Sequence, residues 1–314
     1  MFSLIKRFAF LIACVSTVFI QTAFAQNADL KPIKLAKNTY ALIGSVGPRT
    51  YENYGLNANF GVIDTPDGAI LIDSGASPQG AAILEKEVKI LTGKKVRWVI
   101  NTGSQDHRWL GNDYFAKQGA EIIALKRTTI TQSSLGLGQI TSVQTVLKER
   151  ADGTTQFTSP KALDTDFAKL SLGGVNLEIR YLNHAHFAGD AVVYLPSSGI
   201  LFSGDHIYID RLLGILPQSD ATKWLDAFNQ IEAMKPKIIV SGHGSVTNIK
   251  VAKTQTGDYL SFIVLGVKKY ADDMAGVENA VKGLSNAPQF EKLANFNELH
   301  KGNISRAYLR LESQ

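Results

Sequence analysis

The stretch Asn101-Thr102-Gly103-Ser104-Gln105-Asp106-His107 follows the apolar run Val96 to Ile100 and decides the fold. The run has the length and β-branched content of a buried strand, so the polar residues after it are expected in a loop at the strand's end. Such a loop can turn the carboxylate of Asp106 and the imidazole of His107 toward one point. The stretch therefore predicts a polar site with metal-binding chemistry where the strand ends.

Three further segments rich in His and Asp come at or just beyond the ends of short β-like runs. They are His186 to Asp190, Ser203 to Asp205, and Ser241 to Gly244. Neutral imidazole and carboxylate are the usual ligands of zinc where cysteine is absent. Four such loops, carried by successive strands, predict one shared zinc centre.

The order of these motifs resembles the metallo-β-lactamase fold superfamily across residues 36 to 250. The resemblance implies an α+β fold, a four-layer αββα sandwich. The superfamily typically reads Thr-His-x-His-x-Asp-His at its first site, whereas this chain keeps Asp106-His107. Gly103, Ser104 and Gln105 stand where two histidines are expected, with one residue fewer. Half of the usual dinuclear ligand set is therefore missing.

A narrower resemblance rests on the string Gly103 to Asn112. It is similar to the string of periplasmic zinc metallohydrolases associated with quinoprotein and sulfur-oxidation systems. This resemblance implies a zinc-dependent hydrolase in which a metal-bound hydroxide attacks an ester, lactone, amide or related bond. Two alternatives stay open: a metal-binding accessory or sensor protein of such a system without hydrolytic activity, and a broad-substrate β-lactamase or lactonase.

The resemblance also implies a ligand set for one firm zinc site. Its members are Asp106, His107 and His243, assisted by Asp205. Asp106 is expected to orient the hydroxide or to receive its proton. A second zinc site is doubtful, because of its histidine ligands only His186 is retained.

The role of His186 is open at this point. It could bind a weak second metal with help from His184 or Gln105, act as base or substrate donor beside a lone zinc, or be a relic. His206 neighbours Asp205 and is interpreted as structural or as a support for the ligands. Asp73 ends a predicted strand and is expected to orient a ligand through hydrogen bonds.

The first 25 residues predict a signal peptide. Lys6 and Arg7 precede an apolar run from Phe8 to Ile20, and Ala23-Phe24-Ala25 supplies small residues at the cleavage position. We therefore expect a periplasmic or secreted protein with no stable membrane insertion after cleavage. Cleavage would remove Cys14, the only cysteine, so zinc would be held by nitrogen and oxygen atoms alone.

Composition predicts a globular protein, and the resemblance implies that it acts on a small-molecule substrate. Of 314 residues, 45% are hydrophobic and 19% charged, and the net charge of +5 falls by two when Lys6 and Arg7 are removed. This balance, without a concentrated basic stretch, argues against a nucleic-acid partner. Protein partners are not indicated by the sequence.

The predicted organisation has three parts: a signal peptide over 1–25, the αββα domain over 26–250, and a helical extension over 251–314 packed on that domain. The β-like runs between Thr39 and Asp73 predict an antiparallel meander. Helices are predicted over Gly80 to Leu91 and Ala221 to Met234. The polar segment 127–160 is expected to interrupt this order and to cover the site.

Overall fold

The computed structural model describes residues 28–313, so the predicted signal peptide lies outside the described residues. Two mixed sheets lie face to face in this part of the chain. The first sheet has the strand order of the sequence: β1 (Lys31–Ala36), β2 (Thr39–Ile43), β3 (Phe60–Thr65), β4 (Gly68–Ile72), β5 (Val96–Ile100) and β6 (Glu121–Ile123). The second sheet has the order β11-β10-β9-β8-β7, formed by β7 (Phe167–Leu172), β8 (Val175–Arg180), β9 (Val192–Leu195), β10 (Ile200–Phe202) and β11 (Ile238–Val240).

Helices cover the outer faces of both sheets. In chain order they are α1 (Pro78–Thr92), α2 (Asp106–Trp109), α3 (Asn112–Lys117), α4 (Lys126–Leu147), α5 (Ala221–Met234), α6 (Ile249–Ala252), α7 (Asp258–Asp272), α8 (Val277–Leu284) and α9 (Phe296–Glu312). Within the described residues, no helix is long and apolar enough to cross a membrane.

Three apolar layers hold the sandwich together. The central layer joins the two sheets and includes Ile70, Ile100 and Phe202. A second layer packs α1 onto the first sheet, and a third packs α5, α7 and α9 onto the second sheet. These buried side chains supply the main driving force for folding. The predicted four-layer αββα sandwich is confirmed.

Local signals in the sequence placed several elements correctly. Strands β2, β3 and β4 form the predicted antiparallel meander. Helix α1 ends at Gly93, whose left-handed backbone (φ 69°) lets its N–H bond the Lys89 carbonyl. Helix α5 starts after Asp220, whose carboxylate accepts a hydrogen bond from the Lys223 N–H at 3.1 Å.

The polar segment after residue 126 is the main correction to the predicted elements. The sequence predicts only that it interrupts the order of elements and covers the site, whereas its first part forms α4, a helix of 22 residues. The helix was missed because its buried face carries Thr128, Gln132 and Gly136 in place of an apolar stripe. That polar face contacts the loop after β5: Gln132 Nε2 donates to the Gly103 carbonyl at 3.0 Å, and Gln139 Nε2 to the Ser104 carbonyl at 2.8 Å.

The site forms at one edge of the sandwich. Parallel pairing of β4 with β5 and of β10 with β11 brings the carboxyl ends of these strands to the same edge. The loops after β5, β10 and β11 carry three of the predicted motifs, and Asp73 directly follows β4.

Candidate metal centre

His107, Asp205 and His243 form a compact set of donors within the described residues. The Nε2 atom of His107 lies 3.4 Å from Asp205 Oδ2, and the Nε2 atom of His243 lies 3.3 Å from Asp205 Oδ1. Tetrahedral zinc with bonds of about 2.0–2.2 Å separates its ligand atoms by roughly 3.3–3.6 Å. The two contacts match this separation, and one ligand atom from each of the three residues lies within 4.8 Å of the others, so this buried set can hold a zinc ion.

Tight turns bring these three side chains together. His107 lies in α2, Asp205 in a 3-10 turn after β10, and His243 in the loop after β11. Gly244 has a φ of 84°, and a Cβ there would lie 1.8 Å from the Ile209 carbonyl oxygen. A Cβ on Gly242 would lie 2.3 Å from the carbonyl oxygen of Gly204. Glycine is thus required on both sides of His243.

Both imidazoles are held with Nε2 toward the cluster. His243 Nδ1 donates to the carbonyl of Asn57 at 2.7 Å, and His107 Nδ1 lies 3.2 Å from Asp106 Oδ1. Acceptors at Nδ1 fix the proton there and leave the Nε2 lone pair free for a metal. Burial lowers the pKa of His243 to about 3, so its ring is neutral at physiological pH.

Arg108 is the functional residue that sequence reasoning missed. Its guanidinium is buried and binds both oxygens of Asp205, with Nη2 to Oδ1 at 2.6 Å and Nε to Oδ2 at 3.1 Å. Its Nη1 also reaches Asp73 Oδ2 at 3.1 Å. Burial alone would raise the pKa of Asp205, but Arg108 outweighs it and holds that pKa well below its usual range. Arg108 follows His107 directly in the motif string, which was the available signal.

Asp106 lies outside the donor cluster, contrary to the predicted ligand set. Its carboxylate pairs with Arg49 and accepts a hydrogen bond from the His107 N–H at 2.6 Å. Burial favours the neutral acid, but Arg49 and His107 outweigh it and hold the pKa of Asp106 below its usual range. The carboxylate is therefore ionised and orients His107 instead of facing the centre.

The placement of His107 also corrects the motif register. When the superfamily string Thr-His-x-His-x-Asp-His is set on Thr102 without a gap, its aspartate falls on His107 and its last histidine on Arg108. The predicted shortening by one residue is not needed. Successive residues of a helix point about 100° apart, and in α2 His107 faces the cluster while Asp106 faces Arg49.

The second metal position of the superfamily is altered in this chain. Gly103 and Gln105 replace its two histidines, and Gln105 Oε1 lies 2.8 Å from the Nε2 of His186. A Cβ on Gly103 would lie 2.9 Å from Asp190 Oδ1, so the carboxyl group of Asp190 fills the space beside Gly103. Burial lowers the pKa of His186 to about 4, which keeps this imidazole neutral.

Asp190 is a second residue that the sequence reading did not single out. Its side chain is fully buried, and its Oδ1 is without a hydrogen-bond partner among the described residues. Its Oδ2 accepts from the Phe187 N–H at 2.6 Å. Burial and then the charge of Asp205 raise the pKa of Asp190 well above its usual value.

The other predicted site residues lie around the cluster rather than in it. Asp73 accepts hydrogen bonds from the backbone N–H and the hydroxyl of Thr102, both at 2.7 Å, and reaches Asp205 through Arg108. His206 is buried, with Nδ1 3.0 Å from the Ser203 carbonyl. The half-buried His184 bonds the carbonyl of Gln218 at 2.6 Å, so the structure does not bring it to the site.

The family assignment follows from comparison with known proteins. The family model described as the Metallo-beta-lactamase superfamily matches residues 53–243, which is more than half of the chain. The chain therefore belongs to this superfamily, whose members are mostly hydrolases and normally bind zinc.

Two curated relatives are both named Metallo-beta-lactamase type 2. The chain is 26% identical to the protein of Elizabethkingia meningoseptica over 226 residues, covering 70% of this chain and 82% of the relative. It is 32% identical to the protein of Bacteroides fragilis over 84 residues, covering 26% of this chain and only 34% of the relative.

A solved structure supports the same fold. The metallo-β-lactamase from Pontibacter korlensis superposes with a TM-score of 0.60 at 21% identity, covering 74% of this chain and 99% of that protein. At this identity the likeness shows the αββα fold alone.

Proposed function

We propose that this protein is a zinc-dependent hydrolase with one tightly held zinc per chain. The observation that carries the proposal is the buried His107, Asp205 and His243 cluster, in which one ligand atom from each residue lies within 4.8 Å of the others. Three protein ligands leave a fourth position open, as in catalytic rather than structural zinc sites. Zinc bound there would supply Lewis acidity and lower the pKa of a water molecule toward neutrality.

The protein's own residues prepare this site before any substrate arrives. Arg108 fixes both oxygens of Asp205, and the acceptors at Nδ1 fix the two histidine rings. His186 is a neutral buried imidazole, and its one ring proton lies on Nε2, which donates to Gln105 Oε1 at 2.8 Å. We assign His186 the role of donating this Nε2–H to a substrate oxygen that becomes negative during hydrolysis and that takes the place of the Gln105 oxygen.

The predicted base function of Asp106 is not part of this proposal. Its carboxylate is engaged by Arg49 and by the backbone and ring of His107. Such a carboxylate tunes the basicity and orientation of the histidine that it contacts. Asp106 is therefore assigned as a positioning residue.

The residues at the second metal position of the superfamily are the reason for proposing one zinc per chain. In the described part of the chain, His186 is the one imidazole at this position, and the neutral amide oxygen of Gln105 already accepts a hydrogen bond from it. A borderline-soft ion gains little from one imidazole and one amide oxygen. The position is thus assigned to substrate contact instead of a second metal.

Location and pathway context belong to the same proposal. The order of charged start, apolar centre and Ala23-Phe24-Ala25 supports export with cleavage after Ala25. The string Gly103 to Asn112 supports a role beside a quinoprotein or sulfur-oxidation system. Amino-terminal sequencing of periplasmic protein tests the export step, and a chain that still begins at Met1 would refute it.

Hydrolysis is tested with zinc-loaded protein and a panel of ester, lactone and β-lactam reporters. The β-lactams are included because two relatives carry the name β-lactamase. We expect turnover that is lost in His243→Ala and kept in His300→Ala, a matched buried histidine bonded to Tyr259 and Leu284. Zinc binding without turnover of any reporter would instead favour the accessory or sensor function.

A further inference from the structure

We propose that the C-terminal helical extension is part of the zinc centre, because the hydroxyl of Thr256 positions the zinc ligand His243 through Tyr208. The inference rests on the proposed function, since it adds a positioning residue to the same centre. Residues 53–243 match the family model, so Thr256 lies outside the matched part of the chain. The contacts of Tyr208 with His243 on one side and with Thr256 on the other carry the inference.

The ring of Tyr208 packs against two imidazoles of the site. It stacks on the ring of His243 with a centroid distance of 4.8 Å and an interplanar angle of 21°. It also meets the ring of His186 in an edge contact, with a centroid distance of 5.9 Å. Tyr208 itself is buried. Any displacement of Tyr208 would therefore remove the surface on which the imidazole of a zinc ligand is packed.

The backbone beside Tyr208 bonds the loop that carries His243. The Gly242 N–H donates to the Ile207 carbonyl at 2.8 Å, and the Ile209 N–H donates to the His243 carbonyl at 3.0 Å. Along an extended chain, the backbone groups of successive residues face opposite sides. The N–H and the carbonyl of Tyr208 therefore point away from this loop and toward the C-terminal extension.

One buried hydroxyl satisfies both of these backbone groups. Thr256 Oγ1 accepts a hydrogen bond from the Tyr208 N–H at 3.1 Å and donates one to the Tyr208 carbonyl at 2.7 Å. A hydroxyl can do both because it carries one proton and two lone pairs. Thr256 is fully buried, so water does not compete for either bond. We call these two bonds the Thr256 clamp.

The Thr256 clamp belongs to a π-helical turn, Lys253–Gly257, that lies between α6 and α7. Gln255 in the same turn binds the next part of the segment, since its Oε1 accepts from the Asp210 N–H at 2.7 Å. Gly257 lets the turn lie close to α5, because a Cβ there would lie 2.4 Å from the ring of Phe228. Such turns are rare in helices and often lie at functional sites. Here the turn presents two neighbouring side chains to one segment.

The extension also holds the rest of this segment. The Leu212 N–H donates to the carbonyl of Ala294 at 2.8 Å. Asn303 on α9 binds the residues that follow: its Nδ2 donates to the Leu213 carbonyl at 2.8 Å, and its Oδ1 accepts from the Ile215 N–H at 2.7 Å. Hydrogen bonds from the extension therefore fix this segment as far as Ile215.

The consequence for zinc follows from what the loss of the hydroxyl would do. Two buried backbone groups would be left without partners, and the chain would relax by moving Tyr208. The imidazole of His243 would then lose the ring packed on it, while its Nδ1 would still donate to the Asn57 carbonyl. Zinc binding would have to order this imidazole, so the affinity should fall but not vanish.

The test compares the zinc affinity of Thr256 variants by competition with a fluorescent chelator. Thr256→Val keeps the shape of the side chain and removes the hydroxyl. We expect its zinc affinity to be about 3–10-fold lower, less than the 10–100-fold typical of a partner that touches a ligand directly. Thr256→Ser keeps the hydroxyl and should stay within about twofold of the wild type.

Thr65→Val is the matched control. Thr65 is also buried, and its hydroxyl donates to the Gly68 carbonyl at 2.6 Å and accepts from the Asp67 N–H at 3.3 Å. These bonds lie in the turn before β4, whereas Asp73 and the site lie after it. Thr65→Val should therefore lower the thermal stability of the metal-free protein without lowering its zinc affinity.

A double-mutant cycle shows whether Thr256 acts through Tyr208. Tyr208→Leu removes the stacked ring, and in that background Thr256→Val should lower the zinc affinity by less than about twofold. Thermal unfolding of each metal-free variant shows whether it is folded. Should Thr256→Val not fold, Gln255→Met at a half-buried position takes its place, and a loss of about two- to fivefold is expected.

Equal zinc affinity in the wild type and the variant of the π-helical turn would overturn the positioning role, as would an equal loss in Thr65→Val. A full loss from Thr256→Val in the Tyr208→Leu background would overturn it as well, because Thr256 would then act by another route. The titrations do not depend on turnover. A wild type that binds zinc but hydrolyses no reporter would refute the hydrolase alone, so the two failures are distinguishable.

Discussion

The two metal positions of the superfamily differ in how many of their ligands this chain retains. At one, His107, Asp205 and His243 keep a spacing that suits zinc. At the other position, Gly103 and Gln105 stand in place of two histidines. The Nε2 of His186 forms a hydrogen bond with Gln105 there.

The difference lies in the supporting contacts as much as in the ligands. Around the intact position, Arg108 fixes Asp205 and Asn57 fixes the ring of His243. Around the altered position, the Asp190 carboxyl group fills the space beside Gly103, and its Oδ1 has no hydrogen-bond partner in residues 28–313. Such supporting partners matter for metal affinity, so the contrast predicts one zinc ion rather than two.

The largest effect is expected from removing a ligand of the intact position. His243→Ala should weaken zinc binding far beyond the 10–100-fold typical of a supporting contact, because it deletes one of three donors. His300→Ala, which removes a buried histidine bonded to Tyr259, should leave the affinity unchanged. Competition titrations with a fluorescent chelator measure both. Equal affinities would remove His243 from the centre.

A smaller loss of zinc affinity is expected from Asp106→Asn. This variant distinguishes the predicted role of Asp106 as a ligand from its observed role in positioning His107. The variant weakens the acceptor at His107 Nδ1 and should reduce zinc affinity about 10–100-fold. Asp113→Asn is the control, since Asp113 pairs with Lys117 at the protein surface. A loss as large as that of His243→Ala would make Asp106 a direct ligand, and no loss would deny it any role.

The fold and three of the ligands could be predicted from the sequence, but the orientation of Asp106 could not. The sandwich could be predicted because apolar runs, turn residues and helix caps are local signals, as at Asp220 and Gly93. His107, Asp205 and His243 could be selected from their positions after strands. Which of two adjacent residues faces the centre depends on the start of α2, and this rotation is not encoded in spacing.

The contact partners of the site were beyond sequence reasoning for a related reason. Arg49 lies 57 positions from Asp106, and Arg108 lies 97 positions from Asp205. A buried arginine is rare enough that composition favours a surface position for it. Only the fold brings these charges together, and only then is the cost of burying them offset.

The altered position can be partly rebuilt with Gln105→His. The new imidazole would face His186, so a second zinc should bind, but about tenfold or more weakly than the first because Gly103 offers no ligand. Zinc titration in excess metal should show a second, weak step. Gln118→His, at an exposed position after α3, is the control. Absence of the second step would mean that His186 does not face a metal-sized space.

The smallest effect is expected from Asp190→Asn. It is measured as a change in how the free energy of unfolding depends on pH. Burial raises the pKa of Asp190 above the unfolded value of about 3.9. Below that value Asp190 is protonated in both states, so its ionisation does not change the free energy of unfolding. As pH rises, the unfolded state loses its proton first, and the folded state is destabilised until its own pKa is passed.

The non-titrating variant should therefore match the wild type at pH 4 and be more stable at pH 8, by about 1–3 kcal/mol. Thermal unfolding of zinc-saturated samples at both pH values measures the difference. An advantage for the variant that is the same at pH 4 and pH 8 would show that Asp190 is not a buried acid with a raised pKa.

Zinc stoichiometry tests the contrast between the two positions most directly. Protein dialysed against a mild chelator is analysed for zinc and for protein concentration, with His243→Ala and His184→Ala beside the wild type. We expect about one zinc per wild-type chain, a loss of this zinc in His243→Ala, and no change in His184→Ala, because His184 bonds Gln218 away from the cluster. Two zinc ions per chain, with one lost in His184→Ala, would contradict it.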